Sequence, residues 1–405
     1  MKIADHDLSR LPQWPAAFNH VPKWAFHADE VYELEIERIF KGPVWHPIGH
    51  ACEMPNPGDY KTVTLGHTPL LMQRDAQGRI NVYHNVCPHR GTKLTAPFRG
   101  SQQEIECPYH RWVFDIGGNL RSCPAEEDFP PEFKKQDYNL RKVRTAEHYG
   151  LVFATLNDAT PSLADYLSGL EEPLRWGLGG DGRLKLLGYQ KVVYESNWKI
   201  YMDNDGYHAP LLHAAFRLLK WQGGAGQQVR TPMGHWLVES ENPGQVSKSD
   251  FLRDPTVIQY LGGDTPRNKG HHQGSGSLLV LLWPLIGLAN HLDIINLRFA
   301  NPVGVDKVEV HYAYFCHEDD DEQMVRHRIR QSSNMIGPSG FVSLEDATVF
   351  RRIQDALDTE PSEAYFVKGW REGMDAHTGK QNDEAPNTIW WEVYRERMGF
   401  ERARR

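Results

Sequence analysis

Several features that would place this sequence in a common class of protein are missing. Its 405 residues contain no apolar run long enough to cross a bilayer, and the first ten residues lack the apolar core of a secretion signal. Asp and Glu (53) outnumber Lys and Arg (45), the net charge is −8, and the chain has no basic block. We therefore expect a cytoplasmic protein that binds neither a membrane nor nucleic acid.

Cysteine is scarce as well. The five cysteines, Cys52, Cys87, Cys107, Cys123 and Cys316, are odd in number and scattered, unlike the dense set of a disulfide-stabilised secreted domain. Some of them should therefore be free thiols or metal ligands. Those outside any motif, Cys52, Cys123 and Cys316, we expect to be small buried residues.

The remaining composition is that of a globular protein. Hydrophobic residues make up 40% of the chain and charged residues 24%, which argues against disorder. A chain of this length can hold two domains. Short strand patterns separated by turns predict an all-β domain at about 40–155. These predicted strands are Tyr60–Leu65, Pro69–Gln73, Ile80–His84, Trp112–Asp115 and Tyr149–Leu156.

The rest of the chain, 1–39 and 156–405, predicts a second domain with mixed structure. Leu187–Tyr194 and Leu278–Trp283 have strand patterns, whereas Glu345–Leu357 has a helical pattern. The fold class expected for the whole chain is therefore α+β.

One stretch, Gly177–Gly182, matches the pattern G-x-G-x-x-G of dinucleotide-binding sites. That motif requires a strand before it and a helix after it. Here Glu171–Trp176 has no strand character, and a strand pattern follows the glycines. We therefore interpret the stretch as a turn, and no nicotinamide or flavin motif remains.

The most specific motif pairs two cysteines with two histidines. Cys87 and His89 form C-x-H, and seventeen residues later Cys107 and His110 form C-x2-H. Each pair lies at the end of a predicted strand, so two loops could present four ligands to one site. A tetrahedral zinc is one alternative, although zinc sites favour C-x2-C spacing. A Rieske [2Fe–2S] cluster needs two thiolates on one iron and two imidazoles on the other, and this set supplies them.

The motif resembles the Rieske domain of ring-hydroxylating oxygenases, whose pattern is C-x-H-R-G followed by C-x-Y-H-x-W. The matching residues are Cys87, His89, Arg90, Gly91, Cys107, Tyr109, His110 and Trp112. The resemblance implies a [2Fe–2S] cluster held by Cys87, His89, Cys107 and His110. It also implies that Trp112 and Tyr109 shield the cluster from solvent.

A second metal-binding pattern lies between Asn197 and His213. Mononuclear Fe(II) enzymes that activate O2 use two histidines and one carboxylate, and His208 and His213 could supply the imidazoles. Residues five apart lie about 140° apart on an ideal helix, so this spacing requires the distorted helix that Gly206 and Pro210 favour. The alternative is a pair of polar surface histidines.

The same segment, N-W-K … D-N … D-G-Y-H-x4-H, resembles the iron-binding segment of this oxygenase family. The resemblance implies that His208 and His213 bind iron. It also implies that Asp205 hydrogen-bonds across a subunit boundary to His110 of a neighbouring subunit. Asp203 is the other candidate for that role, and the D-x2-H spacing favours Asp205.

The third iron ligand should be a distant carboxylate. Gly337–Asp346 resembles the segment that carries it in the family, and Asp346 is the match. Independently, Asp346 starts an apolar stripe that continues with Phe350, Ile353 and Leu357, so it should face inward. Glu345 should lie off that stripe, as a carboxylate at the start of a helix.

The resemblance covers most of the chain and implies a Rieske domain inserted in a helix-grip catalytic domain. The implied function is that of a terminal oxygenase, which uses O2 and external electrons to hydroxylate an aromatic substrate. An aromatic acid such as a benzoate, salicylate or phthalate is our first expectation. The implied cofactors are one [2Fe–2S] cluster and one Fe(2+) per subunit. A reductase, a ferredoxin or both would supply electrons to a homotrimer.

Alternatives remain at this stage. The ligand motif does not separate dioxygenation from monohydroxylation or from O- or N-demethylation. A Rieske electron-transfer protein would need only the first site, and a zinc-stabilised binding module would be colourless. The run Asn387–Met398 predicts either a helix that pairs with a small β subunit or ordinary core packing. Met202, Leu282 and Trp283 suggest an apolar substrate pocket, in which no carboxylate-binding arginine can be identified.

Overall fold

A computed structural model describes residues 11–167, 169–204, 226–241, 253–260, 275–291 and 293–403. Contacts divide the chain into two compact units. One unit is Phe40–Leu163, and the other combines Met1–Ile39 with Ala164–Arg405. Among the described helices, none is long and apolar enough to span a membrane.

The strands of the described residues are numbered along the chain. They are β1 His20–Pro22, β2 His46–His50, β3 Asp59–Leu65, β4 Thr68–Arg74, β5 Ile80–His84, β6 Arg99–Ser101, β7 Glu104–Glu106, β8 Val113–Asp115, β9 Leu120–Ser122, β10 Arg144–His148, β11 Leu151–Thr155, β12 Leu184–Tyr194, β13 Gly226–Arg230, β14 Trp236–Glu241, β15 Ser275–Leu282, β16 Ile286–His291, β17 Ile294–Gly304, β18 Lys307–His317, β19 Glu363–Tyr365 and β20 Thr378–Lys380.

The helices are numbered in the same way. They are α1 Trp24–His27, α2 Asp29–Glu35, α3 Leu163–Leu167, α4 Glu171–Gly177, α5 Trp198–Asp203, α6 Pro255–Tyr260, α7 Glu322–Met335, α8 Phe341–Asp355 and α9 Asn387–Met398.

The unit Phe40–Leu163 is built from three antiparallel sheets. The strand orders are β5-β4-β3-β6, β7-β8-β9 and β10-β11-β2. The three predicted strands in this region are confirmed as β3 to β5, which pair antiparallel in sequence order. The carboxylate of Asp75 accepts the N–H groups of Gln77 and Arg79 at 2.9 Å and so closes the turn between β4 and β5. A tight turn joins β8 to β9, which pair antiparallel.

The core of this unit surrounds the two loops that follow β5 and β7. Its buried residues are Tyr60, Leu71, Tyr83, Cys87, Leu94, Ile105, Cys107, Trp112, Phe114, Leu120, Cys123 and Leu140. Two of the four residues of the cysteine–histidine motif therefore belong to the core itself.

The other unit is built on an antiparallel sheet of eight strands in the order β12-β18-β17-β16-β15-β14-β13-β20. An added Cβ on Gly177 of α4 would touch Leu288, so α4 lies over the face on which Leu288 projects. The hydroxyl of Tyr314 donates to the carbonyl of Ile336 at 2.8 Å, which places the connection between α7 and α8 over the opposite face. An antiparallel sheet with helices confirms the predicted α+β class.

The helix predicted at Glu345–Leu357 exists but has different bounds. It is α8, which begins at Phe341 because Gly340, in an extended conformation, ends the preceding turn and acts as the N-cap. The first turn therefore contains no acidic residue, and the prediction that Glu345 complements the helix N-terminus is wrong. Ile353 is 42% exposed, so its place in the apolar stripe was also wrong.

The glycine stretch 177–182 lies in the context that excludes a dinucleotide site. Helix α4 precedes it and strand β12 follows it, which is the reverse of the order the motif requires. Its interpretation as a turn is confirmed.

Candidate metal centres

The two cysteine–histidine loops share one backbone geometry. In each loop the cysteine N–H donates to the carbonyl of the fifth residue after it at 2.8 Å, and the cysteine carbonyl accepts from the N–H of the fourth residue at 3.0 Å. That fourth residue has a positive φ in both loops, +74° for Gly91 and +57° for Arg111. A non-glycine residue rarely adopts this conformation, and such strain concentrates where function fixes the backbone.

The loops bring the two thiols together inside the core. Cys87 is 2% exposed and Cys107 is 1% exposed, and their thiols lie within hydrogen-bonding range. Burial raises the pKa of the Cys87 thiol to about 11, and the adjacent Cys107 thiol acts in the same direction. Thiols so placed are suited to share one metal ion, whose charge would stabilise both as thiolates.

The two imidazoles form a second pair. The ring centroids of His89 and His110 are 4.7 Å apart, with an interplanar angle of 61°. Nδ1 of His110 is buried and has no hydrogen-bond partner in the part of the chain that the structure describes. A buried ring nitrogen without a partner is unfavourable unless it binds something, and a metal ion beside a thiolate pair would satisfy it.

The four side chains form two like pairs, one of thiols and one of imidazoles. Within the described ranges, no three His, Cys, Asp or Glu side chains could hold one metal ion together. A tetrahedral zinc needs three or four protein ligands around one ion. Two thiols in one pair and two imidazoles in another fit a cluster with two iron ions.

Aromatic residues cover one side of the imidazole pair. The indole of Trp112 stacks on His89 with a centroid distance of 4.7 Å and an interplanar angle of 3°. Phe129, Phe133 and Tyr138 pack against Trp112 at centroid distances between 5.4 and 6.1 Å. Trp112 is therefore buried, as a shielding residue should be. Tyr109 is 54% exposed, so it covers His110 incompletely, contrary to the expectation from the motif.

The N-W-K motif anchors the segment that leads to the second candidate centre. The side chain of Asn197 caps α5 by accepting from the N–H of Lys199 at 3.0 Å. Glu35 of α2 accepts from Trp198 Nε1 and from Lys199 Nζ, both at 2.6 Å, and it also accepts from the hydroxyl of Tyr394. Glu35 and Lys199 are fully buried, so the start of α5 is held by a buried ion pair.

Replacing Glu35 by glutamine should lower the free energy of unfolding by about 3–5 kcal/mol. The reason is that a buried ion pair that loses one partner leaves the other charge unpaired. Denaturant unfolding followed by tryptophan fluorescence measures the loss. Glu33, exposed on the same helix, provides the matched control, and Glu33→Gln should change stability by no more than about 0.5 kcal/mol. Equal midpoints for the two variants would contradict the anchoring role.

Asp203, at the end of α5, bonds within its own unit. Its carboxylate accepts from Asn387 Nδ2 at 3.0 Å and from Trp391 Nε1 at 3.3 Å, both on α9. Burial raises the pKa of Asp203 to about 6. The described structure thus ties this carboxylate to the C-terminal helix. Asp205, His208 and His213 lie outside the described residues.

Asp346 lies in the second turn of α8. It shares a helix face with Ser343 and Phe350, three residues before and four after it, and both of these are buried. The hydroxyl of Tyr312 bonds to Tyr194 at 2.7 Å and to Ser343. Burial raises the pKa of Tyr312, and the Asp346 carboxylate acts in the same direction, so Asp346 lies near this tyrosine pair. The predicted inward direction of Asp346 agrees with this environment.

Two groups of residues were missed by sequence reasoning. Glu35 lies beside Val31 and Leu34 on the buried side of α2. A glutamate at an apolar position of a helix indicates a buried, paired carboxylate, and this signal was present in the sequence. Tyr194 and Tyr312 are brought together by strand pairing between β12 and β18, which no local pattern reveals. The pocket candidates Met202, Leu282 and Trp283 are all at most 2% exposed and are part of the packed interior.

The predicted C-terminal helix is present as α9. Trp390, Trp391 and Tyr394 are buried and pack against Trp14 and Trp198. This environment favours the core-packing interpretation of the helix over a role in binding a second subunit. The expectation that the other cysteines are buried is confirmed for Cys123 and Cys316 and is wrong for Cys52, which is half-buried.

Two known protein families match this chain. Residues 44–143 match the Rieske [2Fe–2S] domain. Residues 182–384 match the ring hydroxylating alpha subunit (catalytic domain), which is half of the chain.

Known proteins resemble the chain over nearly its whole length. It is 28% identical over 390 residues to the large oxygenase component of salicylate 5-hydroxylase from Ralstonia sp, covering 88% of this chain and 89% of that protein. It is also 28% identical to the large subunit of anthranilate 1,2-dioxygenase from Burkholderia cepacia, covering 94% of each. Naphthalene 1,2-dioxygenase from Rhodococcus sp. has the same fold, with a TM-score of 0.80, 24% identity and 94% of each chain covered.

Proposed function

Because this chain belongs to the ring-hydroxylating alpha-subunit family, we propose that it is the terminal oxygenase component of a multicomponent system that hydroxylates an aromatic substrate. It is a Rieske non-haem iron oxygenase, whose cofactors are a [2Fe–2S] cluster and a mononuclear iron. When bound, the cluster supplies single electrons and the mononuclear iron activates O2. The observation that carries the proposal is the pairing of two buried thiols and two imidazoles on a chain that also has the catalytic domain.

We assign the ligands as follows. Cys87 and Cys107 hold one iron of the cluster, and His89 and His110 hold the other, in agreement with the two-plus-two arrangement of their side chains. The ring of His110 keeps Nδ1 directed into the protein, whereas Tyr109 beside it is exposed.

For the mononuclear iron we propose His208, His213 and Asp346 as ligands. Asp205 is proposed to hydrogen-bond to His110 of a neighbouring subunit. The bonds that Asp203 makes to Asn387 and Trp391 support this choice, because they leave Asp203 engaged with α9. We propose the functional boundaries as 40–155 for the Rieske domain and as 1–39 with 156–405 for the catalytic domain.

The substrate proposed is an aromatic carboxylic acid. Two of the similar proteins named above carry an aromatic acid in their names, salicylate and anthranilate. Demethylation of an aromatic ether or amine by the same ligand set is the alternative within the family. A pure electron-transfer protein would have no use for the catalytic domain matched at 182–384.

The partners proposed are a reductase, a ferredoxin or both, which would deliver electrons. We propose a homotrimer, since exposed Tyr109 and the histidine pair lie where a neighbouring subunit could approach them. A small β subunit remains the less favoured addition, because the described face of α9 is buried.

The proposed function is tested by oxygen incorporation. The holoenzyme, with a reductase and ferredoxin of broad specificity, is incubated with ¹⁸O2 and a panel of aromatic acids and hydrocarbons. We expect a hydroxylated product with ¹⁸O from O2 and a matching consumption of reductant. Reduction of the protein without any labelled product from the whole panel would contradict the oxygenase function and favour electron transfer alone.

A further inference from the structure

A segment between β9 and β10, residues 124–138, lies against the aromatic side of the first candidate centre. We call it the cover segment. It contains two short turns, Glu126–Asp128 and Lys135–Tyr138, and it belongs to none of the described sheets. Its backbone hydrogen bonds are local, such as the bond from the N–H of Phe133 to the carbonyl of Pro130 at 2.9 Å. The contacts of its side chains therefore decide how the segment is held.

Three aromatic side chains attach the cover segment to Trp112. The rings of Phe129, Phe133 and Tyr138 make angles of 61°, 70° and 83° with the indole, and the rings of Phe129 and Phe133 are 4.4 Å apart. All three are half-buried, whereas Trp112 is 3% exposed and stacks on His89. The three rings thus help to keep water away from the indole that covers His89.

An ion pair ties the cover segment to the neighbouring strand. Lys135 Nζ donates to the two carboxylate oxygens of Glu126 at 2.7 and 2.8 Å and to the carbonyl of Arg121, in β9, at 2.9 Å. The same carboxylate accepts from the N–H of Cys123 at 3.0 Å. These bonds join the two ends of the segment, and the phenylalanines lie between them.

Exclusion of water beside His89 has a consequence for the charge of the cluster. An oxidised [2Fe–2S] core carries two positive charges, which two thiolates balance, so that reduction leaves one net negative charge on the cluster. Dry surroundings disfavour the charged form of a group, and the hydrophobic shell of a metal site tunes its potential in this way. A water-excluding wall against His89 therefore lowers the reduction potential.

We propose that Phe129 and Phe133 of the cover segment lower the reduction potential of the cluster by keeping water from the Trp112 side of His89. Both are positioning residues, because they contact Trp112 and not a ligand. A lower potential makes the reduced cluster a stronger electron donor to the acceptor that follows it. This inference rests on the proposed function, and in particular on His89 as a ligand. Neither phenylalanine belongs to the motif that predicts the cluster.

A redox titration of the holoenzyme, followed by its visible spectrum, tests the effect on the potential. Phe133→Ala should shift the equilibrium between the cluster and a redox mediator toward the reduced cluster by about three- to tenfold, which is about 30–60 mV for one electron. Phe133→Leu keeps an apolar side chain at this position and should retain most of the wild-type potential. Titration at high salt concentration screens the exposed carboxylates of the segment and so isolates the effect of the ring.

Pulsed EPR of the reduced cluster in D2O tests the cause of the shift. Solvent deuterons close to the cluster give a deuterium coupling, which reports water directly. Phe133→Ala should increase this coupling, and Phe133→Leu should leave it near that of the wild type. A residue with only a structural role would lower the unfolding temperature without changing the potential or the coupling.

A phenylalanine elsewhere in the same unit provides the matched control. Phe98 is half-buried, and its ring centroid lies 5.9 Å from the ammonium of Lys61. Phe98→Ala should lower the unfolding temperature and leave both the potential and the deuterium coupling unchanged. Phe129→Ala is the second test variant and should act in the same direction as Phe133→Ala. It decides the question if Phe133→Ala does not retain the cluster.

The outcomes distinguish this inference from the function on which it rests. If the wild type contains the cluster, but a folded Phe133→Ala or Phe129→Ala variant has the wild-type potential and deuterium coupling, the inference is wrong and the proposed function stands. A lower potential in either variant would also overturn it. If the purified wild type contains no iron–sulfur cluster, the proposed function fails, and the inference fails with it.

Discussion

Replacing Cys107 by serine is expected to abolish the visible absorption of the purified protein and its oxygenase activity. Cys107 is 1% exposed and its thiol lies beside that of Cys87. Its loop contains no other cysteine, so no other thiolate could take its place. Mutation of residues that only hold metal ligands in place lowers activity by about 10–100-fold. Loss of a ligand itself should therefore reduce turnover by at least about a hundredfold. Absorption spectra, acid-labile sulfide and turnover measure the effect.

A cysteine in the same core provides the control for this variant. Cys123 is 6% exposed and belongs to the same buried cluster, but it carries no motif. Cys123→Ser should lower the free energy of unfolding, because it places a hydroxyl in an apolar core. It should leave the visible spectrum and the sulfide content unchanged. If Cys107→Ser kept a full complement of sulfide, the assignment of the first centre would be wrong.

Replacing Asp346 by alanine is expected to remove the mononuclear iron while the cluster remains. Asp346 lies on α8 near the Tyr194–Tyr312 pair, in the unit separate from the cysteine–histidine loops. Iron should fall by one ion per chain with sulfide unchanged, and turnover should fall by at least about a hundredfold. Iron and sulfide determinations on the same sample report both centres together.

The adjacent carboxylate is the matched control for Asp346. Glu345 is half-buried like Asp346, but it lies about 100° away on the helix and is not the residue that matches the family segment. Glu345→Ala should keep the iron and most of the activity. Loss of iron from Glu345→Ala, with iron retained in Asp346→Ala, would transfer the ligand role to Glu345.

The first centre could be predicted from sequence because its ligands are local. Each cysteine and its histidine lie within four residues of each other, and both turns are marked by a proline after the cysteine. The strands β3 to β5 could be predicted as well, since turn residues such as those at 75–78 separate clear strand patterns. The incomplete cover from Tyr109 could not be predicted, because exposure depends on the surrounding loops.

The second unit was less predictable because its contacts are distant in sequence. The ion pair between Glu35 and Lys199 joins residues 164 positions apart, and Arg298 meets Tyr312 only through the register of β17 and β18. The start of α8 could not be predicted from periodicity, because it is set by the N-cap Gly340, which also lies in the segment that resembles the family's ligand motif. Periodicity located the helix, but the tertiary structure decides which residues of its stripe are buried.

The central claim is that two cysteines and two histidines of this chain hold one [2Fe–2S] cluster. Pulsed EPR of the dithionite-reduced protein, on samples with ordinary and ¹⁵N-labelled histidine, tests it most directly. The account predicts a signal of one reduced cluster coupled to two directly bound histidine nitrogens, with one of these couplings lost in His110→Ala if that variant retains a cluster. A reduced cluster without any nitrogen coupling, or a colourless protein that contains zinc, would contradict the account.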